Sequence, residues 1–550
     1  QSIPLGSVKS NIGHLKGAAG AASLLKTALA LRDKVLPPSV NFTEPNPGID
    51  FDRMPFYVNT KLQPWDVNGH GVRNAGISSF GFGGTNFHVV VQEHVPGLLT
   101  STSRTFSVGR PGSVSEERSD KAPYRGALVL GASSTHSLQA RLQVALDDAL
   151  AGKVPPFEPP AAGDLAAEHR LAIDFEDAEQ LTKRAEKAVR ALETDIAPVW
   201  KPLASQGVYR GQGKPGKVAF LFPGQGSQYV NMMRELYEVD DVVRATFKEA
   251  DKVMTPLLDR PLTEYLFVNS DDKDVLDQAE EKLKDTTITQ PAVLTVEVAL
   301  FRLLESYGIT PDLVIGHSLG EYGALVAAGV LPFGQALQIV SARGREMSKV
   351  SMDDNGCMAA VFAPLDEINR ILPTLEGYVV LANINSTNQA VIGGATAAID
   401  NAIKVFTELD YRAVKIPVSH AFHTKIVAPA SEPLKRVIGR MVVRPPRIPI
   451  VANVTGDLYP TDRTEIIDLL GQQVASPVQF VKGIHTLYRQ GARVLVEVGP
   501  KRVLNALAGD ILQDREDVTI LYTNHPRKGT LPSLNEALCG LYAAGVGKAR

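Results

Sequence analysis

The pattern of residues 312–328 constrains the fold of this chain more than any other part of the sequence. Residues 312–315 are a short run typical of a buried strand, residues 316–320 are Gly-His-Ser-Leu-Gly, and an Ala- and Leu-rich helical pattern follows. A second mostly apolar strand, 217–222, also runs directly into a glycine-rich turn, and a helix is predicted over 297–307. Strands joined to helices by turns of a few residues predict a parallel α/β sheet.

Residues 356–416 follow a different order of elements. Their hydrophobic pattern predicts strand, helix, strand, strand, helix and strand, and Pro373 ends the first helix. This β-α-β-β-α-β order is that of a ferredoxin-like subdomain. The predicted elements are strands 357–362, 378–383, 389–393 and 411–416 and helices 366–372 and 397–408.

The first 94 residues are well patterned, with a helix predicted over 17–32 and a strand over 87–92. The composition shifts at about Val95. Residues 95–123 are rich in Ser, Arg, Pro and Gly and lack an apolar period, which is typical of a linker or an exposed loop. Residues 124–205 again alternate strand and helix patterns, which predicts a small α/β unit.

The composition excludes several classes of function. The 550 residues carry 57 Lys and Arg against 60 Asp and Glu, a net charge of −3, which gives no electrostatic reason to expect a nucleic-acid or membrane partner. Two cysteines, Cys357 and Cys539, exclude a disulfide scaffold and a Cys-rich metal module, and they favour a reducing, cytoplasmic location. No signal-peptide pattern and no membrane-length apolar run is present. Because the first residue is Gln1, we expect a piece of a longer polypeptide.

The serine at the centre of residues 316–320 is a candidate nucleophile. In the pattern G-x-S-x-G the serine sits at a sharp strand-to-helix turn, and the helix N-terminus offers N–H groups to an oxyanion. Ser318 also needs a base. The best candidates are His420 and His423, which follow the serine in the order used on α/β folds. The spacing does not choose between them.

Several longer motifs occur in a fixed order along the chain. They are Phe222-Pro-Gly-Gln-Gly-Ser-Gln228, Thr289-Gln-Pro-Ala292, Gly316-His-Ser-Leu-Gly-Glu321, Arg343-Gly344 and His420-Ala-Phe-His423. This series resembles malonyl-CoA:acyl-carrier-protein transacylases, and in particular the acyltransferase domain of a type I polyketide or polyunsaturated-fatty-acid synthase. The resemblance covers roughly residues 216–525.

Two further motifs resemble the C-terminal part of a β-ketoacyl synthase. They are Val8-Lys-Ser-Asn-Ile-Gly-His14 and Gly81-Phe-Gly-Gly-Thr-Asn-Phe-His88. Lys9 and His14 fall on that family's active-site lysine and on one of its two histidines. Its nucleophilic cysteine has no counterpart here, so the resemblance implies that the condensing chemistry is absent from this chain.

The resemblance implies a role for several side chains. Ser318 falls on the acyltransferase nucleophile and His423, not His420, on its base. In that family a main-chain carbonyl orients the base, and Gln473 is the best match for it. No metal and no bound cofactor is implied.

The remaining site residues implied by the resemblance surround the acyl group. The backbone N–H groups of Gln225 and Leu319 would form the oxyanion hole, and Arg343 would hold the free carboxylate of malonate. A planar guanidinium pairs bidentately with a carboxylate, as a Lys cannot. Gln290 is assigned to substrate binding. Phe422 would crowd an α-methyl group and so favour malonyl over methylmalonyl, by about 1–3 kcal/mol for one methyl group.

The resemblance also implies a fold and a domain order. It predicts an acyltransferase with an α/β-hydrolase-like parallel-sheet core and a ferredoxin-like small subdomain, preceded by a small α/β linker domain and a partial thiolase-fold ketosynthase segment. The predicted ranges are 1–94 for the ketosynthase part, 95–215 for the linker domain, 216–530 for the acyltransferase with its small subdomain at about 356–416, and 531–550 for a C-terminal helix or tail.

The implied function is transfer of malonyl from malonyl-CoA to the phosphopantetheine thiol of an acyl carrier protein. The expected partners are that carrier protein and the N-terminal ketosynthase part of the same polypeptide, which should cover an apolar face of residues 1–94. One alternative is a serine hydrolase that edits acyl thioesters. Another is that residues 1–215 form a non-catalytic platform on which the carrier protein docks.

Overall fold

The computed structural model describes residues 3–67, 72–81, 86–94, 121–350 and 353–548. The chain divides into two compact units, Gln1–Val114 and Ser115–Arg550. The predicted boundaries at 94/95, 215/216 and 530/531 stay predictions.

The first unit combines two helices with short paired strands. Its elements are β1 (Ile3–Leu5), α1 (Lys9–Ile12), α2 (Ala19–Asp33), β2 (Val35–Leu36), β3 (Phe56–Val58), β4 (Gln63–Pro64), β5 (Asn74–Phe80) and β6 (Asn86–Gln92), with 3-10 turns at Lys16–Ala18 and Phe51–Arg53. β5 and β6 form an antiparallel hairpin. Large apolar side chains are exposed in this unit, among them Phe80 at 76% and Val90 at 69%, as expected for an uncovered core face.

The second unit begins with a three-stranded antiparallel sheet in the order β7-β8-β9. Alternate apolar residues of these strands pack on the buried faces of α3 and α5. The elements are β7 (Gly126–Ala132), α3 (Thr135–Leu150), α4 (Ala162–Ala166), β8 (His169–Phe175), α5 (Ala178–Thr194), α6 (Ala197–Ala204) and β9 (Val208–Gln212). The alternating strands and helices predicted over 124–205 are therefore present, and the third strand of the sheet, β9, lies beyond that range.

The next elements lead to the strand–turn–helix pattern of residues 312–328. They are β10 (Lys217–Phe222), α7 (Arg234–Val239), α8 (Asp241–Leu258), α9 (Leu262–Leu266), α10 (Lys273–Leu283), α11 (Thr286–Ser306), β11 (Leu313–Gly316), α12 (Gly320–Ala327) and α13 (Phe333–Lys349). α11 starts eleven residues before the predicted 297, with Pro291 inside it. The sequence prediction was wrong there, because the burial of nearly every side chain of this helix outweighs the backbone hydrogen bond that Pro291, its sixth residue, removes.

The small subdomain has the predicted ferredoxin-like order. Its elements are β12 (Cys357–Phe362), α14 (Leu365–Ile371), a 3-10 turn at Leu372–Thr374, β13 (Val379–Ser386), β14 (Gln389–Gly394), α15 (Thr396–Glu408) and β15 (Arg412–Ile416). The four strands form an antiparallel sheet in the order β13-β14-β12-β15. β14 and β15, the two strands of the second β-α-β half, thus lie on either side of β12, as this topology requires.

The chain then returns to the large sheet. The remaining elements are a 3-10 turn at Lys425–Ala430, α16 (Ser431–Gly439), β16 (Ile450–Val451), α17 (Arg463–Gln473), α18 (Phe480–Arg489), β17 (Ala492–Glu497), α19 (Val503–Ile511), β18 (Thr519–Tyr522) and α20 (Thr530–Ala543). The sheet is parallel in the order β16-β11-β10-β17-β18. Its faces are covered by α11 and α12 on one side and by α18 and α19 on the other.

This parallel sheet determines where a site can form. The carboxyl ends of β16, β11, β10, β17 and β18 lie along one edge, and the loops that follow them meet there.

α11 is long and apolar enough to cross a membrane, but 89% of its most apolar 18-residue stretch is buried, so it is a core helix of this unit. Among the described residues, no cluster of three or more His, Cys, Asp or Glu side chains could hold a metal ion.

Candidate active site

Ser318 lies in the sharp turn between β11 and α12, at the carboxyl edge of the parallel sheet. Its φ is +52°, a left-handed conformation that L side chains rarely adopt. A Cβ atom on Gly316 would lie 2.1 Å from the backbone N of Glu321, so only glycine fits where strand and helix converge. The turn therefore has the strained geometry that exposes a nucleophilic hydroxyl.

The structure brings Ser318 and His423 together. The serine Oγ lies 2.7 Å from His423 Nε2. His423 Nδ1 lies 3.0 Å from the carbonyl oxygen of Gln473 and 3.1 Å from that of Ser476. Because carbonyl oxygens only accept, Nδ1 carries the ring proton and Nε2 presents its lone pair to the serine hydroxyl.

The environment of His423 keeps the imidazole neutral. Burial, followed by the charges of Arg343 and His317, lowers its pKa to about 3, while the hydrogen bonds to Gln473 and Ser476 oppose the shift. A neutral ring at physiological pH is the form that can accept a proton from Ser318. His420 lies elsewhere, since its Nε2 bonds to the carbonyl oxygen of Val350.

Asn453 holds the serine turn in place, although the sequence did not reveal it. Its Oδ1 accepts from the backbone N–H of Ser318 over 2.6 Å, and its Nδ2 donates to the carbonyl oxygen of Gly316 over 2.6 Å. Asn453 follows β16, whose two residues pair with β11. Its place after a parallel strand was the available signal, but a strand of two residues is too short to give a hydrophobic pattern in the sequence.

Glu321 and Gln473 extend this support into the core. The Glu321 carboxylate accepts from the N–H of Asn453 over 3.0 Å, from the hydroxyl of Tyr459 over 2.8 Å and from Nε2 of Gln473 over 2.7 Å. Gln473 Nε2 also donates to the carbonyl oxygen of Ser318. The buried network thus fixes the backbone on which the nucleophile stands.

Arg343 is buried beside the dyad without an anionic partner. It is 2% exposed, and its Nη1 donates to Oε1 of Gln290 over 3.0 Å and its Nη2 to Oε1 of Gln473 over 3.4 Å. Within the described residues it forms no salt bridge, and its Nε, Gln290 Nε2 and the Tyr322 hydroxyl have no hydrogen-bond partner. The nearby carboxylate of Glu321 is already occupied by three other donors. The arrangement is prepared to receive an anion.

The loop after β10 packs directly on the serine turn. A Cβ atom on Gly224 would lie 2.5 Å from the carbonyl oxygen of His317, which places the adjacent Gln225 beside Ser318. The side chain of Gln225 donates to Oγ1 of Thr286 over 3.3 Å. In the part of the chain that the structure describes, no hydrogen bond uses the backbone N–H of Gln225 or of Leu319. Both N–H groups thus remain available to an oxyanion.

Two contacts connect the site to the small subdomain. His317 Nε2 lies 2.8 Å from Oδ1 of Asn385 on β13. Phe422, immediately before the candidate base, is half-buried and packs between the main core and the small-subdomain cluster, with its ring 6.0 Å from that of His420. Phe422 therefore lies where the main core meets the small subdomain, one residue before His423 in sequence.

Lys9 and His14 belong to the first unit and are exposed. His14 Nδ1 accepts from the backbone N–H of Lys16 over 2.9 Å. No hydrogen bond joins Lys9 to His14 in the described part of that unit. Residues 82–85 of the second ketosynthase-like motif lie outside the described residues. The roles assigned to all these site residues stay predictions.

Comparison with known proteins agrees with this geometry. Residues 219–537 match the acyl transferase domain family, residues 1–43 the β-ketoacyl synthase C-terminal domain, and residues 45–111 the ketoacyl-synthetase C-terminal extension. The polyketide synthase GfsA of Streptomyces halstedii is 33% identical over 552 residues, which is 99% of this chain and 7% of that protein. The chain spans less than a third of the length of such curated relatives.

Solved structures give the same result. The acyltransferase domain from the second module of the salinomycin polyketide synthase is 31% identical, with a TM-score of 0.58 over 76% of this chain and 93% of that one. The malonyl CoA-acyl carrier protein transacylase of Clostridium perfringens is also 31% identical, with a TM-score of 0.52 over 59% of this chain and 97% of that one. The predicted fold and resemblance are confirmed. Because its model matches more than half of the chain, this protein belongs to the acyl transferase domain family.

Proposed function

We propose that this chain transfers a malonyl group from malonyl-CoA to the phosphopantetheine thiol of an acyl carrier protein, through an ester on Ser318. The single observation that carries the choice of donor is Arg343. A buried guanidinium that lacks an ion pair is costly, so a ligand that supplies a carboxylate is strongly favoured. Malonyl-CoA carries such a carboxylate beyond its thioester.

The acylation half-reaction uses the Ser318–His423 pair. As Oγ attacks the thioester carbonyl carbon, its proton moves to His423 Nε2. The N–H groups of Gln225 and Leu319 stabilise the oxyanion. The C–S bond then breaks, the CoA sulfur takes the proton back from His423, and malonyl remains on Ser318.

The transfer half-reaction repeats these steps in reverse with a carrier thiol. His423 accepts the thiol proton, the thiolate attacks the Ser318 ester, and the serine oxygen recovers the proton. The similarity to a transacylase described as acting between malonyl-CoA and acyl carrier protein supports this acceptor. The similarity to polyketide synthases supports a role in loading extender units in a megasynthase.

A serine hydrolase that edits acyl thioesters is the less favoured alternative. Neutral acyl chains give Arg343 and Gln290 no carboxylate to bind, so their unpaired donors would stay buried.

The other expectations extend this proposal to the rest of the chain. We propose that the first unit belongs with the remaining part of a ketosynthase, and that the chain uses no bound cofactor because serine, histidine and backbone N–H groups supply the whole reaction. The two free, buried cysteines fit a cytoplasmic location. The alternative in which residues 1–215 form a non-catalytic platform for the carrier protein stays a prediction.

Intact-protein mass spectrometry tests the proposed donor and nucleophile. The full chain is mixed separately with malonyl-CoA, methylmalonyl-CoA and acetyl-CoA, without carrier protein. We expect a malonyl adduct that is absent in Ser318→Ala and strongly reduced in Arg343→Ala. Arg345→Ala, two residues along α13, is the matched control and should retain the adduct.

The other outcomes discriminate between the functions. Release of free malonate without a stable adduct would favour the hydrolase. An adduct of acetyl as strong as that of malonyl would contradict the role of Arg343. Addition of a holo acyl carrier protein should discharge the malonyl ester onto the carrier, and failure to do so would contradict the proposed acceptor.

A further inference from the structure

A positively charged surface cavity, open to solvent and with Arg502 and Arg527 exposed, lies at the carboxyl ends of β17 and β18, outside the site described above. Its volume is about 360 Å³. The lining residues are Lys501, Arg502, Val503, His525, Pro526 and Arg527. Lys528 follows directly in sequence, although it is paired with Glu536.

The charges of this cavity are not neutralised by the protein. Within the described ranges, Lys501, Arg502 and Arg527 take part in no salt bridge. Burial, followed by the charges of Arg502, Lys528 and Arg527, lowers the pKa of His525, as expected where several cations converge.

Two carboxyl groups interact electrostatically with cations of the cavity, and both already accept hydrogen bonds from the backbone. Glu497 interacts electrostatically with Arg502, but it is buried and its carboxyl group accepts a hydrogen bond from the N–H of Asn505, in the first turn of α19, over 2.7 Å. Glu280 interacts electrostatically with Lys501, but its carboxylate accepts a hydrogen bond from the N–H of Val230 over 2.8 Å. The cavity therefore favours an anionic ligand.

The cavity lies next to the loop that follows β10 and carries Gln225, whose N–H group is a candidate donor to the oxyanion. Lys501 Nζ donates to the carbonyl oxygen of Gly226 over 3.1 Å, and Gly226 follows Gln225. In the sheet, β17 and β18 lie two and three strands away from β11, which ends at the Ser318 turn. Neighbouring strands lie about 4.8 Å apart, so the cavity is roughly 10–15 Å from the serine along the sheet edge.

That separation matches the length of a pantetheine arm. Thirteen bonds join its sulfur to its phosphorus, equivalent to about four extended residues or roughly 15 Å. Guanidinium groups such as Arg502 and Arg527 pair bidentately with phosphate oxygens. We propose that this cavity binds the phosphate ester at the far end of the phosphopantetheine arm, whether the arm belongs to CoA or to a carrier protein. This inference rests on the proposed transfer function.

Kinetics with full-length and truncated thioesters test the proposal. In the double variant Arg502→Gln/Arg527→Gln, we expect the KM for malonyl-CoA to rise about tenfold or more, as for lost hydrogen bonds between charged groups. The KM for malonyl-N-acetylcysteamine, which lacks a phosphate, should not change. Arg440→Gln, an exposed arginine at the end of α16, controls for loss of charge.

The acceptor side identifies the source of the phosphate. A rise in KM for malonyl-CoA alone assigns the cavity to the donor, and a rise for a holo carrier protein alone, with pantetheine unaffected, assigns it to the acceptor. Both results support a phosphate site. Unchanged KM values for both would overturn it, and so would an equal loss with malonyl-N-acetylcysteamine.

Direct binding keeps this inference separate from the proposed function. Calorimetry with 4′-phosphopantetheine needs no turnover, and the full chain should bind it more tightly than pantetheine. This difference should disappear in Arg502→Gln/Arg527→Gln. If the wild-type chain bound both equally, the phosphate site would be wrong even if Ser318 were acylated. If the chain preferred the phosphate but no thioester acylated Ser318, the transfer function would be wrong instead.

Discussion

The side-chain amide of Gln473 donates to the backbone carbonyl oxygen of Ser318 over 2.7 Å. The same side chain contacts Glu321 and Arg343, and the backbone carbonyl of Gln473 accepts from His423. One residue therefore contacts the nucleophile, its base and the guanidinium. The contacts of the side chain can be tested separately from those of the backbone, because a substitution at Gln473 removes the side-chain amide and leaves the backbone carbonyl that accepts from His423.

Gln473→Ala should lower kcat for acylation about tenfold or more, because the buried partners of the amide lose their hydrogen bonds while the carbonyl that orients His423 remains. Stopped-flow or quenched-flow measurement of Ser318 acylation gives kcat and KM separately. Gln472→Ala, an exposed neighbour on α17, is the control. A Gln473→Ala enzyme with unchanged kcat would contradict a positioning role for the side chain.

The pKa of His423 should respond to Arg343. Arg343 is the second cause that lowers this pKa, so Arg343→Gln should raise it from about 3 toward the ordinary value. Because the reaction needs the neutral ring, the acidic limb of the pH–rate profile should move to higher pH. Acylation by acetyl-CoA measures this without the malonyl carboxylate, and Arg345→Gln should leave the limb unmoved.

Glu297 should make stability depend on pH. It is fully buried beneath α12, and burial and Glu497 raise its pKa well above 4.5, while burial raises the pKa of Glu497 to about 7. The native state thus holds protons that the unfolded state releases. The contribution of these two carboxyl groups to the free energy of unfolding is fully present below about pH 4.5. It is lost as the pH rises through their folded pKa values, at about 1.4 kcal/mol per pH unit for each proton that only the native state holds.

Glu297→Gln should therefore flatten the fall in melting temperature between pH 5 and pH 8. Thermal unfolding followed by circular dichroism across this range measures the slope. Glu305→Gln is the control variant, because Glu305 lies on the exposed side of α11, the helix that also carries Glu297. Equal slopes in wild type and Glu297→Gln would show that this carboxyl is not the source of the pH dependence.

Phe422 should set the preference between malonyl and methylmalonyl donors. Phe422→Ala removes the aromatic ring that precedes His423 in sequence. Because one methyl group is worth about 1–3 kcal/mol, the ratio of kcat/KM values for malonyl-CoA over methylmalonyl-CoA should fall about tenfold. Competition between the two CoA esters, followed by mass spectrometry, measures the ratio. Phe362→Ala, on β12, should not alter it.

The sequence predicted what local pattern determines. Short apolar runs in the small subdomain predicted β12, β14 and β15 to within one residue, whereas β13 extends three residues beyond its predicted end at 383. The serine turn followed from its glycines. Asn453 was missed because it lies 135 residues from Ser318 and follows a strand of only two residues. The support of a catalytic turn depends on such distant contacts, which no local pattern encodes.

The last helix, α20, packs against the three-stranded sheet formed by β7, β8 and β9. Nε of Arg170 donates to the carbonyl oxygen of Ala543 over 2.8 Å, and Nδ2 of Asn535 donates to that of Gly126 over 2.9 Å. The end of the acyltransferase therefore completes the core of the segment that precedes it. A fragment designed to carry this catalytic module into another synthase should therefore begin before Lys121. A boundary near residue 215 would separate α20 from the sheet on which it packs and would expose apolar core surface on both pieces.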